Sequence, residues 1–214
     1  PVVWGHVGHE PQHLLERNNP CHLRQRFLGS IQINNGRIGM RLLDASIVRA
    51  ALGFASESHA DQVRKYSGEP YIVHPIAVAE IVASIPHDKN MLAAALLHDV
   101  VEDCDVSLEE IEREFGEDIA SLVENLSDVS KPEDGNRKAR KAIDREHSSK
   151  ASPRAASIKL ADLIHNAEDI AKNDPSFARV FMAEKKLLLE VLSHGDASLH
   201  RRASEIVSNF ESSR

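Results

Sequence analysis

Apolar residues recur at three- and four-residue intervals along most of this chain, with no sustained period-two alternation. Ile47, Val48, Ala51, Leu52 and Ala55 trace one face of a helix that Asp44 can cap. Tyr66-Ser67-Gly68-Glu69-Pro70 reads as a loop by its Gly and Pro. Helices follow over about 75–85, 90–103 and 107–115, the third opening on a Ser107/Glu110 capping box. Gly116 ends that helix, and another runs to about Leu126. After a loop at 129–136 comes a basic helix carrying Arg137, Lys138, Arg140, Lys141 and Arg145. Ser152-Pro153 opens a long helix to about Ala171, since proline suits a first turn. Asp174-Pro175 starts the next, with Phe177, Val180, Phe181, Leu188 and Val191 as its expected buried stripe. Gly195 breaks it, and a final helix runs to about Phe210. The predicted fold is all-α, one domain over residues 40–214.

Residues 1–39 do not share this pattern. They begin with proline, hold no methionine before Met40, and lack the charged start and apolar core of a secretory signal. They are expected to form an N-terminal extension outside the folded domain, read from a start placed too far upstream.

Composition changes the picture little. At 214 residues, with 42% hydrophobic and 28% charged residues, the chain has the balance of an ordinary globular domain. No stretch approaches the roughly 20 apolar residues that cross a bilayer. Cys21 and Cys104 form no metal-binding pair, and a reduced cytoplasmic setting is the default. A net charge of −7 argues against a general nucleic-acid binder. Local charge still allows a small anionic ligand, because basic residues gather at Arg64-Lys65 and at 137–145. The second cluster reads as a solvated helix face.

The candidate chemistry begins at His98-Asp99, between the apolar run Leu96-Leu97 and Val100-Val101-Glu102-Asp103. A neutral nitrogen beside an anionic oxygen suits Mn²⁺, Fe²⁺ or Zn²⁺ better than Ca²⁺ or Mg²⁺. On one continuous helix, Glu102 lies a turn beyond the pair and faces the same cavity. His74 stands at a loop-to-helix junction, and Asp162 interrupts an apolar helical stretch with Asn166 one turn later. Taken singly, His74 reads equally as a structural histidine, and Asp162 as a partner for Lys159 or an arginine. One metal site accounts for all of them at once, with two histidines and two carboxylates as a mixed N/O donor set. His59 and His165 carry no spacing argument and read as supporting or surface histidines.

Three segments carry a resemblance. His59-Ala60-Asp61-Gln62-Val63-Arg64-Lys65 with Pro70-Tyr71-Ile72-Val73-His74-Pro75 resembles the opening of the RelA/SpoT-type alarmone hydrolase domain. Ala94 through Asp103 resembles its second motif, and Lys159-Leu160-Ala161-Asp162 with Asn166 its last. The similarity covers about residues 45–195, in order and spacing, and places the chain with the all-α HD-domain phosphohydrolases, near their small single-domain alarmone hydrolases.

The resemblance implies a helical bundle around a mononuclear site and Mn²⁺-dependent removal of the 3′-pyrophosphate from guanosine tetra- or pentaphosphate, with another divalent transition metal as the variant. By carry-over His74, His98, Asp99 and Asp162 hold the metal, while Glu102 and Asp103 position or deprotonate the attacking water. Arg64 and Lys65 contact the substrate's phosphates, and Lys159 and Asn166 complete the nucleotide pocket. The expected partner is therefore a small anionic nucleotide, with neither nucleic acid nor membrane. NADPH as the nucleotide, or a non-catalytic alarmone-binding module, are the competing readings. Three positions depart from the family pattern: Cys104 replaces a usual threonine, Leu126-Ser127-Asp128 replaces Leu-Thr-Asp, and Leu163 replaces a basic residue. The last bears on which phosphorylated substrate is used.

Overall fold

The computed structural model describes residues 46–212, and within them the chain is helical from end to end. The expected extension at 1–39, the Asp44 cap and Cys21 lie outside the described residues. Helix α1 (Ser46–Ser58) buries Val48, Ala51, Leu52 and Ala55, the stripe that its spacing predicts. A turn-rich segment follows, closed by an isolated antiparallel bridge between Val63 and Pro70. Among the described residues there is no strand.

Helix α2 (Val73–Val82) begins earlier than its predicted start near 75, taking His74 and Pro75 into its first turn. Helix α3 (Lys89–Leu97) is capped by Asp88, whose carboxylate accepts from the Asn90 and Met91 amides at 2.8 and 2.9 Å. Every residue from Met91 to Leu97 is buried. A helix apolar on all sides belongs in the centre, and α3 packs against α1, α2, the later α6 and the long α8.

The continuous helix predicted over 90–103 does not exist. Regular α-helix stops at Leu97, and a single turn, α4 (Val100–Asp103), resumes after His98-Asp99. Asp99, at φ −97° and ψ −8°, sits in the sparsely populated bridge region. The interruption falls where an apolar helix must deliver two polar side chains into one cavity.

Helices α5 (Leu108–Phe115) and α6 (Glu117–Leu126) are joined at Gly116, whose φ of +88° a side-chain-bearing residue would adopt only with strain. Ser107 caps α5 by accepting from the Glu110 amide at 3.2 Å. The reciprocal half of the expected capping box is missing, since the Glu110 carboxylate lies 3.7 Å from Arg113. A short 3₁₀ turn (Pro132–Asp134) leads to α7 (Arg137–Ser149), whose only buried residues are the polar Asp144 and Ser148. Helix α8 (Pro153–Asn173), opened by Ser152 and Pro153, runs through the core beside α10 (Ala197–Ser212), α9 (Pro175–Val191) and α2.

On α9 the predicted stripe is partly wrong. Val180 is 49% exposed, while Ala178, Met182 and Leu189 join Phe181 and Leu188 in burial. Gly195 has a packing reason beyond breaking the helix: a Cβ there would meet Leu160 Cδ1 at 2.9 Å and the α8 backbone at 3.1 Å. No described helix is long and apolar enough to cross a membrane.

Candidate metal centre

Three elements aim donors at one point. The first turn of α2 supplies His74, the break between α3 and α4 supplies His98 and Asp99, and the middle of α8 supplies Asp162. Ligand atoms of His74, His98 and Asp99 all lie within 4.8 Å of one another. The Asp162 carboxylate places Oδ1 3.2 Å from His74 Nε2 and 3.6 Å from His98 Nε2, the latter too long for a hydrogen bond. Asp99 reaches His74 Nε2 at 3.4 Å and His98 Nε2 at 3.2 Å. The four predicted ligands are thus brought together.

Both imidazoles are held by their far nitrogens. His98 Nδ1 lies 2.8 Å from the Ala95 carbonyl, to which it donates, so Nε2 carries the lone pair. That Nε2 is fully buried and has no hydrogen-bond partner. A buried acceptor facing two carboxylates and a second imidazole is poorly matched to anything but a proton or a cation. His74 Nδ1 lies 2.8 Å from His165 Nδ1, so one ring must donate to the other. Burial first, then the proximity of His74 and Arg64, pushes His165 down to about 4 and keeps it neutral. A neutral His165 accepting from His74 leaves His74 Nε2 free to ligate. His165, which spacing had left aside, supports a ligand from one turn beyond Asp162 on α8. His59 is buried too, stacked on Tyr71 at 4.7 Å, and is not a surface residue.

The charges favour a cation. Burial opposes charge on Asp162, but the imidazoles of His74 and His98 beside it hold its carboxyl well below the ordinary range. Burial likewise opposes charge on His98, yet Asp99 and Asp162 outweigh it and push the imidazole up to about 9. A divalent ion bound there would take the place of that proton and satisfy both carboxylates. Asn166 donates to Asp162 Oδ1 at 2.7 Å, and Tyr71 donates to Asp99 Oδ2 at 2.7 Å. Tyr71 also reaches Asp103 at 3.2 Å, and burial with the Asp99 charge pushes its phenol far above its usual range.

A cleft opens beside these donors, lined by the acidic and polar Tyr71, Asp99, Glu102, Asp128, Asp144, Asp162, Asn166 and Glu184 and by the cations Lys141, Arg145, Lys159 and Lys185. Glu102 accepts from the Asp128 amide at 2.8 Å. Its carboxyl is crowded by protein atoms although the residue reaches solvent, and that burial pushes it up to about 6. Asp103, its predicted companion, does not line the cleft and touches the centre through the Tyr71 hydroxyl.

The predicted phosphate contacts divide. Arg64 is tied to Asp169 at 2.7 Å and Asn166 at 3.3 Å, outside the cleft lining, and Lys65 is 74% exposed near Asp174. Lys159 does line the cleft. The other cations there come from the α7 cluster read as a solvated face and from Lys185, for which sequence spacing offered no signal. Leu163 is fully buried in the core, so that departure removes no cation from this cleft. Cys104 donates towards the Ser58 carbonyl at 3.3 Å, beside His59.

Residues 51–189 match the HD-domain family. The chain belongs to it. A guanosine-3′,5′-bis(diphosphate) 3′-pyrophosphohydrolase of Xenopus tropicalis is 39% identical over 138 residues, covering 62% of this chain and 74% of that protein. A probable enzyme of the same name from Synechocystis is 39% identical over 151 residues, which are 69% of this chain. There the HD-family chain spans only 20% of the relative's length. A solved metazoan orthologue of SpoT, described as hydrolysing ppGpp, superposes with a TM-score of 0.69 at 33% identity, covering 77% of this chain and 96% of that one. The resemblance carried by the three sequence motifs, and the all-α fold it implied, are borne out.

Proposed function

We propose that this HD-domain chain is a hydrolase that removes the 3′-pyrophosphate of guanosine tetra- or pentaphosphate, with Mn²⁺ as its ion. The observation that carries the reading is the orphaned, buried Nε2 of His98 facing Asp99, Asp162 and His74 at the floor of a cleft that also holds Glu102. Its mixed nitrogen and oxygen donors fit a divalent transition metal. His74, His98, Asp99 and Asp162 would hold it. Bound there, the ion supplies Lewis acidity, polarising a phosphoryl oxygen and making water more acidic.

The remaining work belongs to the side chains around it. Glu102 is fixed through one oxygen by the Asp128 amide and uses the other to take the proton of the attacking water. Lys159, bonded to the Leu126 carbonyl and 3.9 Å from Asp128, puts a fixed positive charge where negative charge builds on the leaving group. Asn166 keeps Asp162 oriented, and Arg64 holds Asn166 from behind. Asp103 acts at one remove, sharing the Tyr71 hydroxyl with Asp99.

A sensing module without turnover would have no use for a carboxylate poised near neutrality beside the ion. Pyrophosphate release from guanosine tetraphosphate, with Mn²⁺ and after chelation, tests the proposal. Mn²⁺-dependent release supports it. Turnover of NADPH alone moves the substrate, and tight alarmone binding without turnover rules out the enzyme.

A further inference from the structure

The cleft holds two groups of charge, and only the metal donors and Glu102 are explained by the ion and the attacking water. Lys141 and Arg145, one turn apart on α7, line it together with Lys185 from α9, while Glu184 in the same lining is paired with Arg137 at 2.7 Å. Lys141 is neutralised, bonded to Asp128 and lying 3.3 Å from Asp144. Arg145 and Lys185 are not. The Arg145 guanidinium has a long contact to the Lys141 carbonyl, at 3.4 Å, and no carboxylate partner among the described residues. The Lys185 ammonium lies over the Phe181 ring, 4.9 Å from its centroid, likewise without a carboxylate partner among the described residues.

This arrangement is costly for the empty protein. Burial first, with Lys159 and Lys141 adding to it, lowers the pKa of Lys185 against the opposing pull of Asp162 and Asp128. A surface cation would turn outward to water. These two are partly buried and line the same cleft as the metal donors. Two partly buried cations on separate helices, lining one cleft and neither of them ion-paired among the described residues, form a receptor for a multiply charged anion.

We infer that Arg145 and Lys185 form a second anion subsite, which takes the phosphorylated end of the substrate opposite the end being cleaved. The subsite rests on the proposed hydrolysis and adds to it a basis for substrate choice. A nucleotide phosphorylated at both ends spans the cleft, one end at the ion and the other between α7 and α9. A nucleotide phosphorylated at the scissile end alone leaves the two cations uncompensated. The positive charge that an acidic protein needs for such a substrate thus comes from the third and fifth helices after the His-Asp pair's turn, not from Arg64-Lys65.

The test is a selectivity ratio on the metal-loaded protein. It compares kcat/KM for guanosine bearing diphosphates at both 3′ and 5′ positions with that for guanosine bearing only the 3′-diphosphate. Lys185→Met and Arg145→Met should each cut this ratio roughly 10- to 100-fold, the range for losing a charge-assisted hydrogen bond. Lys185→Arg restores it. Lys150→Met, removing an exposed charge paired with Glu146 at 3.0 Å, leaves it unchanged. A ratio unaltered in both cleft variants overturns the subsite, as does an equal fall with Lys150→Met. If wild-type protein cleaves neither nucleotide, the hydrolase reading fails and the subsite is still judged by calorimetry with inorganic pyrophosphate. Two ions bound per wild-type chain and one per Arg145→Met/Lys185→Met chain support it; equal numbers overturn it.

Discussion

The proposed metal donors and the two unpaired cations of the cleft are built by different rules. Each donor is locked by a neighbour: His98 by a backbone carbonyl, His74 by His165, Asp162 by Asn166, Asp99 by Tyr71. Of the cations, Lys185 has an aromatic face and Arg145 one long contact to a carbonyl. An ion with fixed coordination demands preorganised donors, whereas a flexible polyphosphate tolerates long side chains that settle on binding. Loss of a donor should therefore abolish chemistry, and loss of a cation should only redirect it.

The sharpest break in that contrast comes from removing a carboxylate donor. Asp99→Ala or Asp162→Ala should lose bound metal and turnover together, with activity down by about 10³-fold or more, as expected when a Lewis acid worth several kcal/mol is lost. Metal content of the purified variants, read beside pyrophosphate release, checks it. A variant keeping both removes that residue from the donor set. Glu102→Gln separates holding the ion from using it: metal stays, and turnover drops roughly 10²- to 10⁴-fold. The base role proposed for Glu102 requires activity to rise with pH as it ionises. The limb lies at or below about 6, because a nearby cation favours the ionised form, and it disappears in the variant.

The same contrast governs what the sequence disclosed. His74, His98, Asp99 and Asp162 stood out because polar residues interrupting apolar helices need a partner, and one ion served them all. The α8 start was readable from Ser152-Pro153, and the buried face of α1 from its period-3.6 spacing. The break after Leu97 was not, since local propensity favours continuing the helix and only the cavity requires that it stop. Lys185 and Arg145 were hidden for a related reason. A lysine on an amphipathic helix looks the same whether it faces water or a cleft, and only the packing of α7 against α9 decides. Arg64-Lys65, expected at the phosphates, lies outside the cleft lining, with its arginine paired to Asp169.

Smaller effects should come from residues that only orient the donors. Asn166→Ala and His165→Phe leave all four donors in place, yet each should weaken metal binding roughly 10- to 100-fold. For His165→Phe the cause is the His74 ring, whose Nδ1 loses its acceptor. Chelator competition measures the affinity, and excess Mn²⁺ should recover most of the activity. Unchanged affinity would place His165 outside the support of the site.

The gentlest probe is pH, applied to the metal-free protein. His98 has its pKa raised from 6.5 to about 9 by Asp99 and Asp162 against the effect of burial. A raised folded-state pKa contributes stability that is fully present below about pH 6.5 and is lost as pH rises through about 9. Chelated protein should therefore melt at progressively lower temperature across that window, more steeply than His98→Gln. Metal-loaded protein should behave oppositely. Protons and the ion compete for the same Nε2, so the increment in melting temperature on adding Mn²⁺ should grow from pH 6.5 to 9. An increment that stays flat would mean that the ion does not displace the His98 proton. His98 would then be an electrostatic neighbour of the carboxylates and not a ligand.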